Sequence, residues 1–263
     1  MEKITAVIIV KNAEKEVEKC LQSLKNLVDD IVIVDDLSSD NTVEICKRYG
    51  AKVITHESKG NFCNQRNIGL ENARGDWILQ MDADEIIPKE SVHKIIKALA
   101  DSKDFAAFKL FRKNFFLGYA LKSVGTDNYM IKIFRKGKGH YIGSTLHETL
   151  KIDGAIGEIE AEIYHYPFTS IRQALEKSNH YSSKESEEFL EDRNELDFRE
   201  VRYRLGWKPI KLFWKLYVKK KGYKDGMYGF IWCILNVIFA MNRWLKIWEK
   251  ALNEGKLKNY PKP

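Results

Sequence analysis

Apolar runs of strand length alternate with amphipathic segments through residues 1–100, and this alternation constrains the fold more than any other feature. The runs are ITAVIIV, DIVIVDD, AKVITH and DWILQMD. Between the first two, Val17, Leu21 and Leu24 recur at helical spacing. Further helices are predicted over NTVEICKRYG, PKESVHKIIKALADS and FCNQRNIGLENARG, the last ending at Gly75. We therefore predict an α/β fold in which helices flank a mostly parallel, Rossmann-like sheet on both faces.

Polar side chains follow these strands where each one ends. Lys11 and Asn12 follow the first strand. The acidic residues follow the second and fourth strands: Asp35, Asp36, Asp82, Asp84 and Glu85. Because ligands of such sheets bind at the carboxyl ends of the strands, these side chains are expected to share one site. Clustered carboxylates repel one another unless a cation joins them, so the sequence predicts a site for Mg²⁺ or Mn²⁺.

Glycine-rich phosphate-binding motifs are absent from the expected position. A dinucleotide-binding turn would follow the first strand, where the chain has VKNAEKE without a glycine, and the sequence contains no P-loop. A metal and basic side chains would then have to bind phosphates, with Arg66 as a candidate. A nucleotidyltransferase, which would share the sheet and the metal, usually carries a glycine-rich basic loop here, but it stays an alternative.

Charge and cysteine content narrow the class of partner and the compartment. The formal net charge of +7 favours anionic partners such as nucleotides, nucleic acid or acidic lipid surfaces. The four cysteines show no CxxC spacing, which predicts reduced thiols in a cytoplasmic protein. The N-terminal apolar run lacks a small-residue cleavage site, so we interpret it as the first strand and not as a signal peptide.

Three motifs together resemble the family 2 inverting glycosyltransferases of the GT-A fold, and within them the lipopolysaccharide-core subgroup. They are VIIVKN, IVIVDDLSSDNT and QRNIGLENARGDWILQMDADE, and the resemblance continues more weakly through YMIKIFRK, LHETL and YHYPFTS. The resemblance implies a hexosyl- or similar transferase of cell-envelope lipopolysaccharide biosynthesis. Such an enzyme moves a sugar from a nucleoside diphosphate sugar to a hydroxyl of a glycan or glycolipid acceptor, with inversion and with a divalent metal.

The same resemblance implies roles for the residues at the strand ends. Asp35 or Asp36 would contact the base of the donor. Lys11, Asn12 and Arg66 would also help to bind the donor. Asp82 would contact the ribose or the metal, and Asp84 would hold the metal that bridges the diphosphate. The usual glycine after the paired aspartates is Leu37 here.

Inverting transfer also needs a general base that takes the proton of the acceptor hydroxyl. The segment GSTLHETL offers Glu148 as that base, with His147 to orient it. His165, at the end of an alternating strand, is expected to be a third metal ligand or a diphosphate contact.

The last third of the chain differs in character. Residues 168–263 are predicted to form a helical, basic and aromatic extension of a catalytic domain at 1–167. The uncharged run from Met227 to Met241 has fifteen residues, fewer than the ~20 that a spanning helix needs. Lysines interleaved with aromatic residues predict a helix in the interface of an anionic membrane, on the inner face of the cell membrane. The alternative is a helix packed on the catalytic domain.

A non-catalytic module that binds nucleic acid through this basic extension is the alternative from a different class. It leaves the acidic strand ends unexplained, because carboxylates without a metal repel phosphates. We therefore expect an enzyme that does not bind nucleic acid.

Overall fold

The computed structural model describes residues 2–102, 104–125, 129–143, 148–191 and 193–261. The chain forms two compact units. The first comprises Met1–Lys113 and Asn128–His165, and the second comprises Asn114–Asp127 and Tyr166–Pro263. Residues 114–127 thus belong to the second unit together with the chain from Tyr166 onward. The assignment of catalysis to 1–167 stays a prediction.

The strands, numbered in chain order, are β1 (Ile4–Val10), β2 (Asp30–Asp35), β3 (Lys52–Thr55), β4 (Trp77–Asp82), β5 (Glu85–Ile86), β6 (Ala107–Phe116), β7 (Tyr119–Ala120), β8 (Tyr129–Arg135), β9 (Gly139–Ile142), β10 (Thr149–Ile152), β11 (Ile156–Phe168), β12 (Leu196–Asp197) and β13 (Leu257–Lys258). The α-helices are α1 (Val17–Leu24), α2 (Thr42–Arg48), α3 (Phe62–Asn72), α4 (Lys89–Ala100), α5 (Ile171–Glu191), α6 (Phe198–Leu205), α7 (Trp207–Trp214) and α8 (Gly226–Asn253). A π-helical segment, Lys215–Lys219, and a 3₁₀ turn, Gly222–Asp225, lie between α7 and α8.

The main sheet has the strand order β3-β2-β1-β4-β8-β6-β11-β5. Its first four strands are parallel, and Val10 of β1 lies opposite Asp35 while Ile9 lies opposite Asp82. In this sheet β8 pairs antiparallel with both β4 and β6, and β11 pairs antiparallel with β5. The prediction of a mostly parallel sheet flanked by helices, followed by C-terminal helices, is confirmed. The register brings the carboxyl ends of β1, β2 and β4 to the same edge, which we call the carboxyl edge.

Alternate side chains of β1 enter two separate hydrophobic clusters, which explains why its sequence is apolar throughout. Ile8 packs with residues of α1, including Leu21, whereas Val7 packs with Val32 and Ile78. All of these side chains are almost fully buried. Burial of an aliphatic side chain contributes about 1.5–3 kcal/mol, so coverage of both faces stabilises the strand strongly.

The expected end of α3 at Gly75 is wrong, because the helix ends at Asn72. Gly75 instead lies against β1, where its N–H donates to Thr5 Oγ1 at 2.8 Å. A Cβ atom at this position would lie 2.7 Å from both the Lys3 carbonyl oxygen and the Thr5 nitrogen. The glycine is therefore required for a close approach of two backbone segments and not for the termination of a helix.

In the second unit, α5 and α8 pack along each other, although the charged sequence of α5 suggests a fully solvated helix. The buried face of α5 carries small residues at a spacing of four: Ala174, Ser178, Ser182 and Ser186. Asn242 donates to Ser178 Oγ at 3.3 Å, and Lys246 Nζ donates to Asn179 Oδ1 at 2.7 Å. Small side chains let α8 approach, while Glu185 and Glu187 of α5 pair with Arg243 and Lys250 of α8.

The helix α8 has 28 residues, nearly twice the length of the uncharged run that the sequence emphasises. With the preceding turn, the helical segment Gly222–Asn253 is long and apolar enough to cross a membrane by length and composition. Core helices of soluble proteins satisfy the same criterion, which makes this weak evidence for a membrane span.

Candidate active site

The carboxyl edge brings Lys11 next to Asp36, as the sequence predicts from their positions after β1 and β2. Lys11 Nζ lies 2.9 Å from Asp36 Oδ2. Asp36 also accepts hydrogen bonds from the backbone N–H and the hydroxyl of Ser58, both at 2.8 Å. Burial opposes ionisation of this carboxyl, but the bonds from Ser58 and Lys11 hold its pKa below the ordinary value.

Asn12 and Asp35 shape the loop that follows β2. The Asn12 N–H donates to Ser38 Oγ at 2.9 Å, and Asn12 Oδ1 accepts from the Ser39 N–H at 2.8 Å. Asp35 accepts from the Ser38 N–H at 3.2 Å. Leu37 has φ of +54° and is 54% exposed. This left-handed backbone explains why glycine suits the position, because a Cβ atom is strained there.

Arg66, on α3, connects two of the predicted site carboxylates. Its Nη2 lies 3.0 Å from Asp82 Oδ1, and its Nε donates to Glu148 Oε2 at 2.9 Å. Its guanidinium also lies over the Tyr141 ring, 5.3 Å from the centroid. Burial acts to lower the pKa of Arg66, but the negative charges of Asp82 and Glu148 outweigh it and raise the pKa. The guanidinium is therefore a fixed positive charge at the carboxyl edge.

A second buried cation, Lys132 of β8, organises the turn that contains Asp82, Ala83 and Asp84. Its Nζ lies 2.6 Å from Glu85 Oε2 and 3.5 Å from Asp82 Oδ2. Glu85 Oε2 also accepts from the Asp82 N–H at 3.0 Å. Glu85 is fully buried, so Lys132 provides the neutralising charge that this carboxylate needs.

The pKa values of Glu85 and Asp82 are shifted in opposite directions. Burial raises the pKa of Glu85, and the neighbouring Asp82 adds to the rise. Burial also opposes ionisation of Asp82, but Lys132 and Arg66 outweigh it and hold its pKa well below the ordinary value. Asp82 thus stays ionised and has both of its oxygens paired with cations.

Asp84 and His165, two of the predicted metal ligands, lie close together. His165 Nε2 lies 3.6 Å from Asp84 Oδ1, and both side chains are partly exposed. β11 pairs antiparallel with β5, which places His165 opposite Glu85. Among the described residues, no group of three or more His, Cys, Asp or Glu side chains could hold a metal. An Mn²⁺ or Mg²⁺ ion fits a two-residue site of this kind when substrate phosphates and water complete its coordination.

Of the predicted site residues, His147 lies outside the described residues, and Glu148 is the first described residue after residues 144–147. The structure links Asp82, Glu148 and Arg66 into one cluster and joins Lys11 with Asp36. Sequence reasoning missed Lys132, Tyr141 and Ser58. A lysine within the apolar strand YMIKIFR is a signal that could have identified Lys132.

Comparisons with known proteins agree with this architecture. The family model "Glycosyl transferase family 2" matches residues 5–147, more than half of the chain. The chain is 29% identical over 280 residues to an uncharacterised glycosyltransferase of Rickettsia felis, covering 98% of this chain and 92% of the relative. It is 25% identical over 254 residues to the lipopolysaccharide core biosynthesis glycosyltransferase LpsC of Rhizobium meliloti, covering 94% of this chain and 92% of LpsC.

Among solved structures, S. aureus TarS 1–349 in complex with UDP-GlcNAc has a TM-score of 0.51 and 16% identity. The similarity covers 98% of this chain and 94% of TarS 1–349. At this identity the similarity concerns the fold, and it supports the predicted GT-A architecture. The chain belongs to glycosyl transferase family 2.

Proposed function

We propose that this glycosyltransferase moves a hexosyl or similar sugar from a nucleoside diphosphate sugar to a hydroxyl of a glycan or lipid-linked glycan, with inversion and with Mn²⁺ or Mg²⁺. The observation that carries the proposal is the pairing of Asp84 with His165 beside the cluster of Asp82, Arg66 and Glu148. A two-residue metal site beside a fixed guanidinium suits a diphosphate. The complex of TarS with UDP-GlcNAc and the name of LpsC support the classes of donor and acceptor.

In this proposal each residue has a distinct role. Asp35 or Asp36, with Lys11 and Asn12, binds the nucleoside part of the donor, and Arg66 contributes positive charge near the diphosphate. Asp84 and His165 hold the metal, which when bound neutralises charge on the departing diphosphate. Asp82 is paired with Arg66 and Lys132, so it orients the site and contacts the ribose or the metal through its exposed portion.

Glu148 is the proposed general base. Arg66 contacts its Oε2, so the other carboxylate oxygen takes the proton as the acceptor hydroxyl attacks the anomeric carbon. The bond from Arg66 also fixes the orientation of the carboxylate, a requirement for efficient proton transfer. His147 would orient Glu148 or the acceptor. The enzyme is further proposed to work at the cytoplasmic face of the membrane, where lipid-linked acceptors are accessible.

A donor screen tests the reaction. The full chain is incubated with individual nucleoside diphosphate sugars, Mn²⁺ and lipid-linked or lipopolysaccharide-core acceptors, and the nucleotide product is quantified. Acceptor-dependent release of nucleoside diphosphate, abolished by EDTA and restored by Mn²⁺, is the expected result. Release of pyrophosphate would indicate a nucleotidyltransferase instead. Thermal stabilisation by an oligonucleotide, without stabilisation by nucleoside diphosphate plus Mn²⁺, would indicate a nucleic-acid-binding module.

A further inference from the structure

The second unit contains a segment whose solvent-exposed charge is entirely positive. Residues 207–225 include one carboxylate, that of Asp225, and seven lysines: Lys208, Lys211, Lys215, Lys219, Lys220, Lys221 and Lys224. Asp225 is only 2% exposed, and its carboxylate accepts hydrogen bonds from the backbone N–H groups of Lys122, Ser123 and Val124. Its carboxylate is therefore buried, and its negative charge does not neutralise the lysines at the surface.

The same segment exposes large apolar side chains along one stripe. Trp207, Ile210 and Trp214 are 64%, 60% and 58% exposed. Their spacing of three and four residues puts them on one face of α7. Other sides of α7 are covered, because Pro209 is buried and Phe213 packs against the hydrophobic cluster that contains Cys233. This exposure is thus a property of one defined face and not of a loosely packed helix.

The first turns of α8 extend the apolar surface. Met227, Phe230 and Ile234 are also exposed and again follow a spacing of three and four. The Phe230 ring lies 5.9 Å from that of Phe213 and 5.6 Å from that of Tyr217, so the start of α8 packs against the segment that carries the first stripe. Clustered exposed apolar side chains on a protein surface mark an interaction site.

We propose that these six apolar residues and the seven lysines form a docking surface for the interface of an anionic lipid bilayer. Tryptophan side chains favour the boundary between headgroups and acyl chains, and lysines beside them contact anionic headgroups. A second copy of this chain fits less well, since a two-fold contact would place the same lysines against each other. Nucleic acid would satisfy the lysines but would leave Ile210 and Met227 without an apolar partner.

The contacts of α8 favour a position in the interface over a span across the bilayer. Arg243 on α8 lies 3.3 Å from Glu185 on α5, and Lys246 donates to Asn179 and Ser183. A bilayer-spanning α8 would either break these contacts or carry the charged residues of α5 into hydrocarbon, where unsatisfied charge is costly. Docking through α7 and the start of α8 leaves the α5–α8 contacts intact.

Sedimentation of the full chain with lipid vesicles tests whether the lysines contribute to membrane binding. The outcome of this experiment does not depend on the proposed transfer reaction. Binding to phosphatidylcholine vesicles containing phosphatidylglycerol is expected, with weakening as NaCl rises from about 50 to about 500 mM. Reversal of Lys219, Lys220 and Lys221 to Glu should reduce the partition coefficient by roughly tenfold or more. The matched control reverses Lys89, Lys94 and Lys97 on α4, which gives the same net charge, and should bind as the native chain does.

The apolar part is tested with brominated lipids, which quench tryptophan fluorescence within the acyl region. Native protein should be quenched, and the double variant Trp207→Phe/Trp214→Phe should lose most of this quenching while it still sediments. Trp207→Ser/Trp214→Ser should bind weakly but retain the native unfolding temperature, because both side chains are exposed. If this Ser variant binds as well as native protein, the apolar stripe does not enter the bilayer and the proposal fails.

Two further outcomes would overturn the proposal. A lipid-free dimer that Trp207→Ser/Trp214→Ser converts to monomer would show that a second copy covers the surface. Oligonucleotide binding that competes with vesicles and is lost in the Lys219, Lys220 and Lys221 variant would assign the surface to nucleic acid.

Discussion

At the scale of single residues, the candidate site depends on cations that hold carboxylates in defined orientations. Arg66 joins Asp82 to Glu148, and Lys132 joins Asp82 to Glu85. These bonds fix side chains on the turn after β4 and at the residue that precedes β10. Asp82 is thus held as an ionised group, and we propose that the chemistry falls to the partly exposed Asp84, His165 and Glu148.

Glu148→Gln separates proton transfer from binding. The substitution preserves the shape of the side chain and removes its basicity, so donor and metal affinities should change little. Turnover should fall by about 10²–10⁴-fold, the usual contribution of a general base. Steady-state kinetics and calorimetric titration measure the two effects. Glu160→Gln, an exposed change of the same kind on β11, is the matched control. If Glu148→Gln stays nearly fully active while His147→Ala or His165→Ala loses this factor, the base is a histidine.

Asp84→Asn and His165→Ala test the metal site without reference to activity. Each variant alters or removes one of the two proposed protein ligands, so Mn²⁺ affinity in the presence of nucleoside diphosphate should fall at least tenfold. Electron paramagnetic resonance of free Mn²⁺ gives the affinity directly. Folding should be preserved, because both side chains are partly exposed. Unchanged Mn²⁺ affinity in both variants would disprove this metal assignment.

Lys132→Met should destabilise the fold as well as the turn after β4. It leaves the fully buried Glu85 carboxylate without its cation, and breaking a buried pair in this way costs about 3–5 kcal/mol. Urea unfolding measures the loss. The double variant Lys132→Met/Glu85→Leu removes both charges and should recover most of the stability. A single variant as stable as the native chain would show that the pair is solvated and that Lys132 does not order the turn.

At the scale of elements, the loop between α3 and β4 is defined by close backbone contact. A Cβ atom on residue 75 would collide with backbone atoms of Lys3 and Thr5, which cannot move without displacing β1. This contact positions β4 next to β1 and therefore brings Asp82 to the carboxyl edge beside the end of β1.

Gly75→Ala should therefore destabilise the protein more than Gly50→Ala does. Gly50 has φ of +74° with open space around its Cβ position, so alanine there encounters only the conformational strain of about 1–2 kcal/mol. In Gly75→Ala the new methyl group must also displace β1, which lowers the stability further. Thermal unfolding of the two variants provides the comparison, and equal losses would mean that the loop relaxes away from β1.

At the scale of the whole molecule, the four cysteines provide a probe of global stability. Cys20, Cys46, Cys63 and Cys233 are free thiols, as their spacing predicts, and all are buried. Burial raises the pKa of Cys46 to about 12 and of Cys233 to about 11. Because the thiolate is the reactive form, both exposure and ionisation require the structure to open.

Labelling by a thiol reagent at neutral pH should therefore be slow in the native protein and complete in denaturant. The labelling rate should rise with denaturant in parallel with unfolding measured by circular dichroism. Rapid reaction of one thiol in the native state would locate a region that opens locally. Mass spectrometry of the labelled peptides identifies which cysteine reacts.

Sequence was enough to predict the strands of the parallel half and the acidic residues at their ends, and to recognise the family. All three depend on short stretches of neighbouring residues. An apolar run of β-branched residues encodes a buried strand locally, and the side chains that follow it must lie at its carboxyl end. Gly75 illustrates the limit of this reasoning. A glycine after a helical pattern suggests termination, whereas its role here depends on a strand seventy residues earlier in the chain.

The sequence by itself thus determined the parallel half of the sheet and which carboxylates share its edge. Only the tertiary structure decided how those carboxylates are paired. Arg66 meets Glu148 across 82 positions, and Lys132 meets Glu85 across 47. His165 reaches Asp84 because β11 pairs antiparallel with β5. Such partners depend on strand order and register, which arise from the packing of the whole unit and have no signature in any local stretch of sequence.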